Sequence, residues 1–353
     1  MRIKNIKLTN FRNYTKAEFD FDSRLTLIKG PNGVGKTNIL EAIYLTATVK
    51  SPRTHYDRDV INYDKEFCTI LAETLMQEEK YSLELQIIKS DKFENASSKR
   101  AKVNKTPKTI HYFAGIFNAV LFMPEDILLV TESPSRRRRY IDMVLSQTDD
   151  AYKRTHTLYL KALKRRNKVL EMLHDEDKGH YQINYWDDQI LEHGQFIQQK
   201  RDEFFNYISE KIMENSAKLG GNGEKDSEYK IIYKKNEITK ERIDKYRQKE
   251  ILARSTLVGP HRDDFEIYFD GHNLAHFGSR GQQRTAILAL KLSEMEFIEH
   301  KTGEHPVLLL DDIFSELDTT HRKTVIKTIK HHQTIITSAE DVDFVKDAKI
   351  IEL

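Results

Sequence analysis

Eight consecutive residues constrain this chain more than any other feature. Gly30-Pro31-Asn32-Gly33-Val34-Gly35-Lys36-Thr37 reads as a complete phosphate-binding loop. It follows an apolar strand-like run, Leu25-Thr26-Leu27-Ile28, and opens a helix-like run that starts at Asn38 and continues Ile39-Leu40-Glu41-Ala42-Ile43-Tyr44. A strand feeding a tight glycine turn that opens a helix aims several backbone N–H groups at one point, and the helix dipole adds positive potential there. Lys36 is placed to reach the β- and γ-phosphates of a nucleoside triphosphate, and the Thr37 hydroxyl to ligate Mg²⁺. The plainer alternative is a glycine-rich turn with an incidental lysine, which the strand before it and the helix after it disfavour.

At 353 residues the chain has room for two or three folding units. Lys and Arg number 57 against 55 Asp and Glu, so any nucleic-acid contact has to come from local basic patches rather than a global field. Cys68 is the single cysteine; it excludes an internal disulfide and a Cys-based zinc cluster and fits a reducing cytosol. The first residues, Met1-Arg2-Ile3-Lys4-Asn5-Ile6-Lys7-Leu8, alternate like a strand and lack the apolar stretch of a signal peptide. No run approaches the ~20 apolar residues of a membrane span. Mean hydropathy is −0.64 with 32% charged residues, which predicts a soluble, cytoplasmic, surface-rich protein without a membrane partner.

Residues 1–48 predict two strands, the phosphate loop and its helix. Residues 66–110 predict a β-meander, with strands over Phe67–Leu75 and Tyr81–Ile88 and a hairpin turn at Val103-Asn104-Lys105. Phe117–Phe122 is a further short strand. From about Ser135 the period changes: Tyr152, His156, Tyr159, Leu163, Leu170 and Leu173 recur at spacings of three and four, with Arg166 interrupting. Ile190, Gly194, Ile197, Arg201, Phe204 and Ile208 repeat the pattern. Two long helices with narrow seams, joined near Asp175–Gly179, predict an antiparallel helical hairpin. Leu219–Asp226 predicts a loop. The α/β pattern resumes near Leu257, so the nucleotide fold is split in sequence by the helical region.

Its second half supplies acids. Pro306-Val307-Leu308-Leu309-Leu310-Asp311-Asp312 predicts a buried parallel strand ending in two carboxylates. Asp311 stands where the Mg²⁺-organising acid of P-loop proteins sits, and Asp312 is placed to polarise water; the alternative is an acid pair capping a helix. Upstream, Ser279-Arg280-Gly281-Gln282 precedes a helix-like run over Thr285–Glu299 and predicts a second anion site, or simply an ordinary serine–glycine cap.

These motifs in this order resemble the ABC-type, SMC-like ATPases, and within them the RecF family of bacterial recombination mediators. The resemblance rests on Asn10–Tyr14, Gly30–Asn38, Leu121–Asp126, Ser133–Arg138, Gly259–Asp264, Gly278–Thr285 and Leu308–Asp318, spread over nearly the whole chain. It implies an α/β fold, an ABC-type head whose lobe I combines a mixed sheet with helices, plus a mostly helical lobe II with a short antiparallel arm. Residues 1–130 and 251–353 are expected to form the ATPase domain, and 131–250 the arm and signature-side lobe. It further implies that ATP is bound by Gly30, Pro31, Asn32, Gly33, Val34, Gly35, Lys36, Thr37, Asn38 and Arg12, with Mg²⁺ at Thr37 and Asp311. Lys36, Asp311 and Asp312 are the implied catalytic groups. Ser279, Arg280, Gly281 and Gln282 are implied to act as a signature in trans, on nucleotide held by a second copy. The chain departs from the pattern in several places. Arg280 replaces the family's usual glutamine. Thr337-Ser338 stands where transporter ATPases carry a histidine, while His331 and His332 precede that strand at its other end. Glu125 is the only guess for the glutamine-loop position. Asp312 is one methylene shorter than glutamate, which leads to the expectation of slow hydrolysis acting as a release timer.

The densest basic run is Arg136-Arg137-Arg138-Arg139; Lys161, Lys164, Arg165, Arg166 and Lys168 form a second cluster, and Lys99, Arg100, Lys102, Lys105 and Lys108 a third. The second reads equally as a solvated helix face and the third equally as an ordinary polar hairpin; the arginine run, with only Glu132 and Asp142 close by in sequence, reads less readily that way. None is interleaved with aromatics for base stacking, so backbone contact with duplex is favoured over single-strand binding. The resemblance implies an ATP-induced homodimer on duplex or gapped DNA that helps load RecA, with RecR and in some cases RecO as partners, in nucleoid-associated repair, replication and the SOS response. The competing classes are an SMC-type chromosome-organising head, a transporter or other ABC-type ATPase, and a self-contained P-loop kinase. An SMC arm needs far more than the about 40 residues per helix, or ~60 Å, available here. A kinase has no use for the segment Ser279–Gln283.

Overall fold

Side chains at the start of the chain point alternately in and out, as a strand of period two requires. Ile3, Ile6, Leu8 and Phe11 are buried, and an irregularity between Ile3 and Asn5 resets the alternation so that Ile6 shares the face of Ile3, while Asn5 lies on the other face and donates to Glu18 and Asp20. The structure, a computed structural model, describes residues 1–54, 56–90, 96–176, 180–219, 228–317, 319–339 and 348–353. Its strands in chain order are β1 (Arg2–Phe11), β2 (Tyr14–Asp20), β3 (Leu25–Lys29), β4 (Phe67–Met76), β5 (Glu79–Lys89), β6 (Ser97–Val103), β7 (Thr106–Lys108), β8 (Ala119–Phe122), β9 (Tyr229–Lys234), β10 (Asp264–Phe269), β11 (His272–Asn273), β12 (Val307–Asp311), β13 (Thr334–Ser338) and β14 (Lys349–Glu352). The longer helices are α1 (Lys36–Thr48), α2 (Pro134–Thr148), α3 (Asp150–Glu176), α4 (His180–Leu219), α5 (Lys240–Ala253), α6 (Arg280–Thr302) and α7 (Thr319–Thr328).

The chain forms two units: Met1–Asp126 with Lys218–Gly223 and Lys291–Leu353, and Ile127–Ala217 with Glu224–Leu290. Sequence had assigned 251–353 to the ATPase domain, whereas here the division falls at Lys291. The reason is pairing: β10 lies between β9 and β11, so the segment after residue 251 folds with the helical insert and takes Ser279–Gln282 with it.

In the first unit β2-β1-β4-β5-β6-β7 is antiparallel and β14-β3-β13-β12-β8 is parallel throughout. The predicted meander is β4 to β7, and its turn residues Asn104 and Lys105 both have positive φ, as a two-residue hairpin turn requires. Helix α1 touches β8, β12 and β13 of one sheet and β1, β4 and β5 of the other, which is why Ile39 to Thr48 is buried all round instead of showing a single apolar stripe. Buried Gln333 fastens the sheets locally: its amide oxygen accepts from Ile3 N at 2.7 Å and its amide nitrogen donates to Ile3 O at 2.8 Å and Phe21 O at 3.0 Å.

In the second unit the expected seam residues Tyr152, Tyr159, Leu170, Leu173, Ile190, Ile197, Phe204 and Ile208 are buried. The arm is not a bare pair of helices, because α5 packs against α3 and adds Ile251 to the cluster of Val169, Leu170, Leu173 and Ile183. Gly194 interrupts the seam where a Cβ would come within 3.1 Å of Ile238. The joint at 177–179 and most of the predicted loop Leu219–Asp226 lie outside the described residues. The segment Gly259–Asp264 is a structural knot. Asp263, fully buried, accepts from Arg201 at 2.9 Å, from Gln198 at 2.9 Å, from the Asn236 amide at 2.8 Å and from the Tyr233 hydroxyl. The Tyr159 hydroxyl lies 2.6 Å from His261 Nδ1, and burial pulls the His261 pKa down to about 4. Removing one partner from such a buried pair typically costs about 3–5 kcal/mol.

Candidate nucleotide site and nucleic-acid surfaces

Strand β3 ends at Lys29, the loop turns through Gly33 (φ 83°) and Gly35 (φ 117°), and α1 starts at Lys36. Both glycines sit in the left-handed region where a side chain is strained. At Gly35 space also forbids one, since a Cβ would lie 2.7 Å from Asn13 Nδ2 and from the Tyr14 hydroxyl. Pro31, Asn32 and Gly33 form the exposed crest of the loop. Lys36 is 7% exposed and folds back on the loop, donating to Gly30 O at 2.7 Å and Pro31 O at 3.0 Å. The ammonium is therefore held at the place where phosphates would be cradled.

The parallel sheet delivers the acids to the same point. Asp311, at the end of β12, accepts from Thr37 Oγ1 at 2.9 Å and from Thr337 Oγ1 at 2.6 Å, both on its Oδ1. Burial pushes its pKa up; the two hydroxyl bonds oppose that, and the charge of Glu125 adds to it. Glu125, exposed on the short turn Pro124–Ile127 after β8, is thus within electrostatic reach of Asp311. The donor set suits Mg²⁺: hard oxygens, with Thr37 and Asp311 separated by 2.9 Å, close to the ~2.9 Å edge of an octahedron with bonds of 2.0–2.1 Å.

Asp312 leaves the strand in a left-handed conformation (φ 49°, ψ 21°), its amide donating to Thr337 O at 3.2 Å and Thr337 Oγ1 at 3.1 Å. It precedes the helical turn Ile313–Glu316, yet its side chain makes no capping bond, so the capping alternative finds no hydrogen bond to support it. Thr337, where a transporter histidine was sought, instead braces both acids. Asp318 lies outside the described residues.

Arg12 is also in left-handed backbone (φ 51°). Its guanidinium forks buried Glu41 of α1 at 2.9 and 2.7 Å and donates to Asp59 O at 2.8 Å. Glu41 further accepts from Ser51 at 2.5 Å and from Arg53 at 3.2 Å. Arg53 reaches Asn38 at 2.8 Å, Asn38 reaches Asn13 at 2.8 Å, and Asn13 donates to Val34 O of the loop at 2.8 Å. The chain of bonds Arg12–Glu41–Arg53–Asn38–Asn13–Val34 encircles the start of α1. Sequence reasoning named Arg12 and Asn38 but missed Asn13, Glu41, Ser51, Arg53 and Thr337. The one available signal was an acid, Glu41, inside an otherwise apolar helix.

In the second unit Ser279 is the residue before α6. Its hydroxyl accepts from Gln282 N at 3.2 Å, and Gln282 Oε1 accepts from Ser279 N at 2.9 Å, a reciprocal capping box. The cap alternative is therefore realised, and it leaves the Ser279 O–H available as a donor. Ser279, Arg280 and Gly281 are exposed and Gln282 is half-buried.

The arginine run divides. Arg137 is buried, bidentate to Asp264 at 2.6 and 2.9 Å and donating to Glu132 O at 2.7 Å, so it is withdrawn from the expected DNA-facing set. Arg136 pairs with Glu132, Arg138 donates to Asp263 O at 3.0 Å, and Arg139 is half-buried. Arg166 is likewise removed from the second cluster, fully buried against Asp187 and Glu250. Lys161, Lys164, Arg165 and Lys168 are exposed on α3, and their spacing places them on one face. In the third patch Lys99 is tied to Asp57 at 2.7 Å and to Val49 O. Among the described residues no helix is long and apolar enough to cross a membrane.

The family model RecF/RecN/SMC N terminal domain matches residues 2–352. The chain is 36% identical to a DNA replication and repair protein RecF of Bacillus cereus (strain G9842), covering 100% of this chain and 97% of that protein. It is similar to a solved structure described as the recombination mediator protein RecF-ATPrS in the RecFOR pathway, with TM-score 0.88, 31% identity and coverage of 100% and 96%. An Smc head domain with an extended coiled coil from Pyrococcus furiosus matches at TM-score 0.55 and 18% identity over 99% of this chain and 92% of that one, a likeness of fold alone.

Proposed function

This chain belongs to the RecF family, ATP-binding ATPases of the ABC type in DNA replication and repair, and on that footing we propose that it is an ATP-gated DNA clamp in which two copies close over nucleotide. One lobe, split in sequence, holds ATP at Gly30 to Asn38; the helical lobe of the other copy presents Ser279, Arg280, Gly281 and Gln282 to the γ-phosphate. The observation that carries this reading is the grip of Asp311 on Thr37 and Thr337 at the mouth of the phosphate loop. Mg²⁺ held between Thr37 and Asp311 would neutralise developing phosphate charge. Lys36 exchanges the carbonyls of Gly30 and Pro31 for phosphate oxygens, and Asp312 orients the attacking water.

Hydrolysis is slow on this reading and sets the time of release; turnover near the ~10 s⁻¹ median of ordinary enzymes would speak against a timer. Duplex or gapped DNA is held by its backbone through the exposed Lys164 and Arg165 and the half-buried Arg136, Arg138 and Arg139. Binding then falls steeply with salt and shows little sequence preference. The cellular role is to help load RecA at single-strand gaps on the nucleoid, with RecR, and RecO in some settings, as partners.

Light-scattering mass of wild type and Asp312→Asn, with and without ATP and duplex DNA, tests the clamp. ATP is expected to double the mass, and the mutant dimer to persist on DNA. Monomers in every sample, with ATP demonstrably bound, would instead favour a self-contained P-loop enzyme.

A further inference from the structure

At the end of the parallel sheet where β12 and β13 begin, opposite the end that carries Asp311, three side chains converge from three segments. Glu299 lies in the last turns of α6, His305 in the lead into β12, and His332 in the lead into β13. One ligand atom from each lies within 4.8 Å of the others. His305 Nδ1 is 3.0 Å from Glu299 Oε2, His332 Nε2 is 3.7 Å from the same oxygen, and the two imidazole rings stand 4.7 Å apart edge to face. His332 is only 4% exposed, and neither of its ring nitrogens has a hydrogen-bond partner. A buried imidazole without such a partner is a costly arrangement unless something else takes up its lone pair.

We propose that Glu299, His305 and His332 bind a transition-metal dication, Zn²⁺ by ligand type. Two imidazoles and one carboxylate are ligands that this ion accepts, and bonds of 2.0–2.1 Å in a tetrahedron set ligand atoms about 3.3–3.4 Å apart. The observed 3.0 and 3.7 Å separations straddle that value, so small side-chain shifts seat the ion, with water completing the shell. The Met1 ammonium is nearby but is engaged elsewhere, donating to His305 O at 2.9 Å and lying 3.6 Å from Glu304. The set differs in kind from the all-oxygen pair at Thr37 and Asp311, so the two positions select different ions. The role is structural: the ion pins the end of α6 to the starts of the two strands whose far ends carry Asp311 and Thr337.

The test uses the full chain, stripped with chelator, kept in saturating Mg²⁺ and titrated with Zn²⁺ and with Co²⁺ as a coloured reporter. Wild type is expected to retain about one Zn²⁺ per chain, to show the visible bands of four-coordinate Co²⁺ and to melt at higher temperature with Zn²⁺. His305→Ala and Glu299→Gln, both at partly exposed positions, are expected to bind about tenfold or more weakly and to lose the thermal shift. His300→Ala, on the same turn, should behave as wild type. No Zn²⁺ uptake by wild type, or unchanged uptake in both His305→Ala and Glu299→Gln, overturns the proposal.

Discussion

Two glycine-bearing turns open helices in this molecule, and they are finished in opposite ways. Around Gly35 the turn is enclosed: Asn13 and Tyr14 crowd the missing side chain, Lys36 is buried, and Asp311 arrives from a distant strand. The Tyr14 hydroxyl is shut off from water, and that burial pushes its pKa up to about 12. Around Gly281 the turn is open. A Cβ there would meet only the Ser279 hydroxyl, at 3.9 Å, and Gln282 closes the cap from within the same turn. The first turn draws its partners from across its own unit and forms a chemical site. The second offers a helix N-terminus and a hydroxyl outward, and on the proposed reading these meet the nucleotide held by a second copy.

The sharpest way to break this contrast is Asp312→Asn. Loss of the water-orienting carboxylate should lower turnover about a hundredfold or more while ATP binding stays as it was; a steady-state assay beside a binding titration reads both. Lys36→Ala comes next. Removing a charge-assisted contact worth about 1.5–3 kcal/mol should weaken ATP binding some ten- to hundredfold, as read with a fluorescent nucleotide. Gly35→Ala and Gly281→Ala form a matched pair. The former should cost about 1–3 kcal/mol in a denaturant melt from left-handed strain alone, before its clash is added, while the latter stays within ~0.5 kcal/mol. Ser279→Ala loses a helix cap worth about 1 kcal/mol or less. It should leave the monomer's ATP affinity unchanged while the ATP-dependent doubling of mass disappears. If it lowered monomer affinity instead, Ser279 would be acting on its own chain's nucleotide and the contrast would fail.

What could be read beforehand follows from range. The phosphate loop, the apolar run into Asp311 and the Ser279 cap are local patterns, each within a dozen residues, and they stand in the structure where they were expected. The period of three and four likewise located α3 and α4. Arg137 and Arg166 show where this stops. Each sits in a basic run that reads as surface, and each is buried because an acid far along the chain, Asp264 or Glu250, folds onto it. Helix α5 and strand β9 escaped notice because their charged faces hide the few residues that pack, Ile243 and Ile251 in one and Tyr229 and Ile231 in the other. Thr337 was noticed only as the absence of a histidine, since nothing nearby in sequence announces a hydroxyl that binds the Asp311 carboxylate and the Asp312 amide.

The strand order of the parallel sheet also bears on synthesis. Among the described residues the strand that carries the phosphate loop, β3, pairs only with β13 and β14, which emerge from the ribosome about 300 residues later, an interval of roughly 15–60 s at ordinary elongation rates. Throughout that time an apolar strand has both edges bare. The strand that carries the nucleotide loop therefore cannot pair until β13 and β14 have been made, and a ribosome stalled in the helical insert would display it with both edges bare to the chaperones around it.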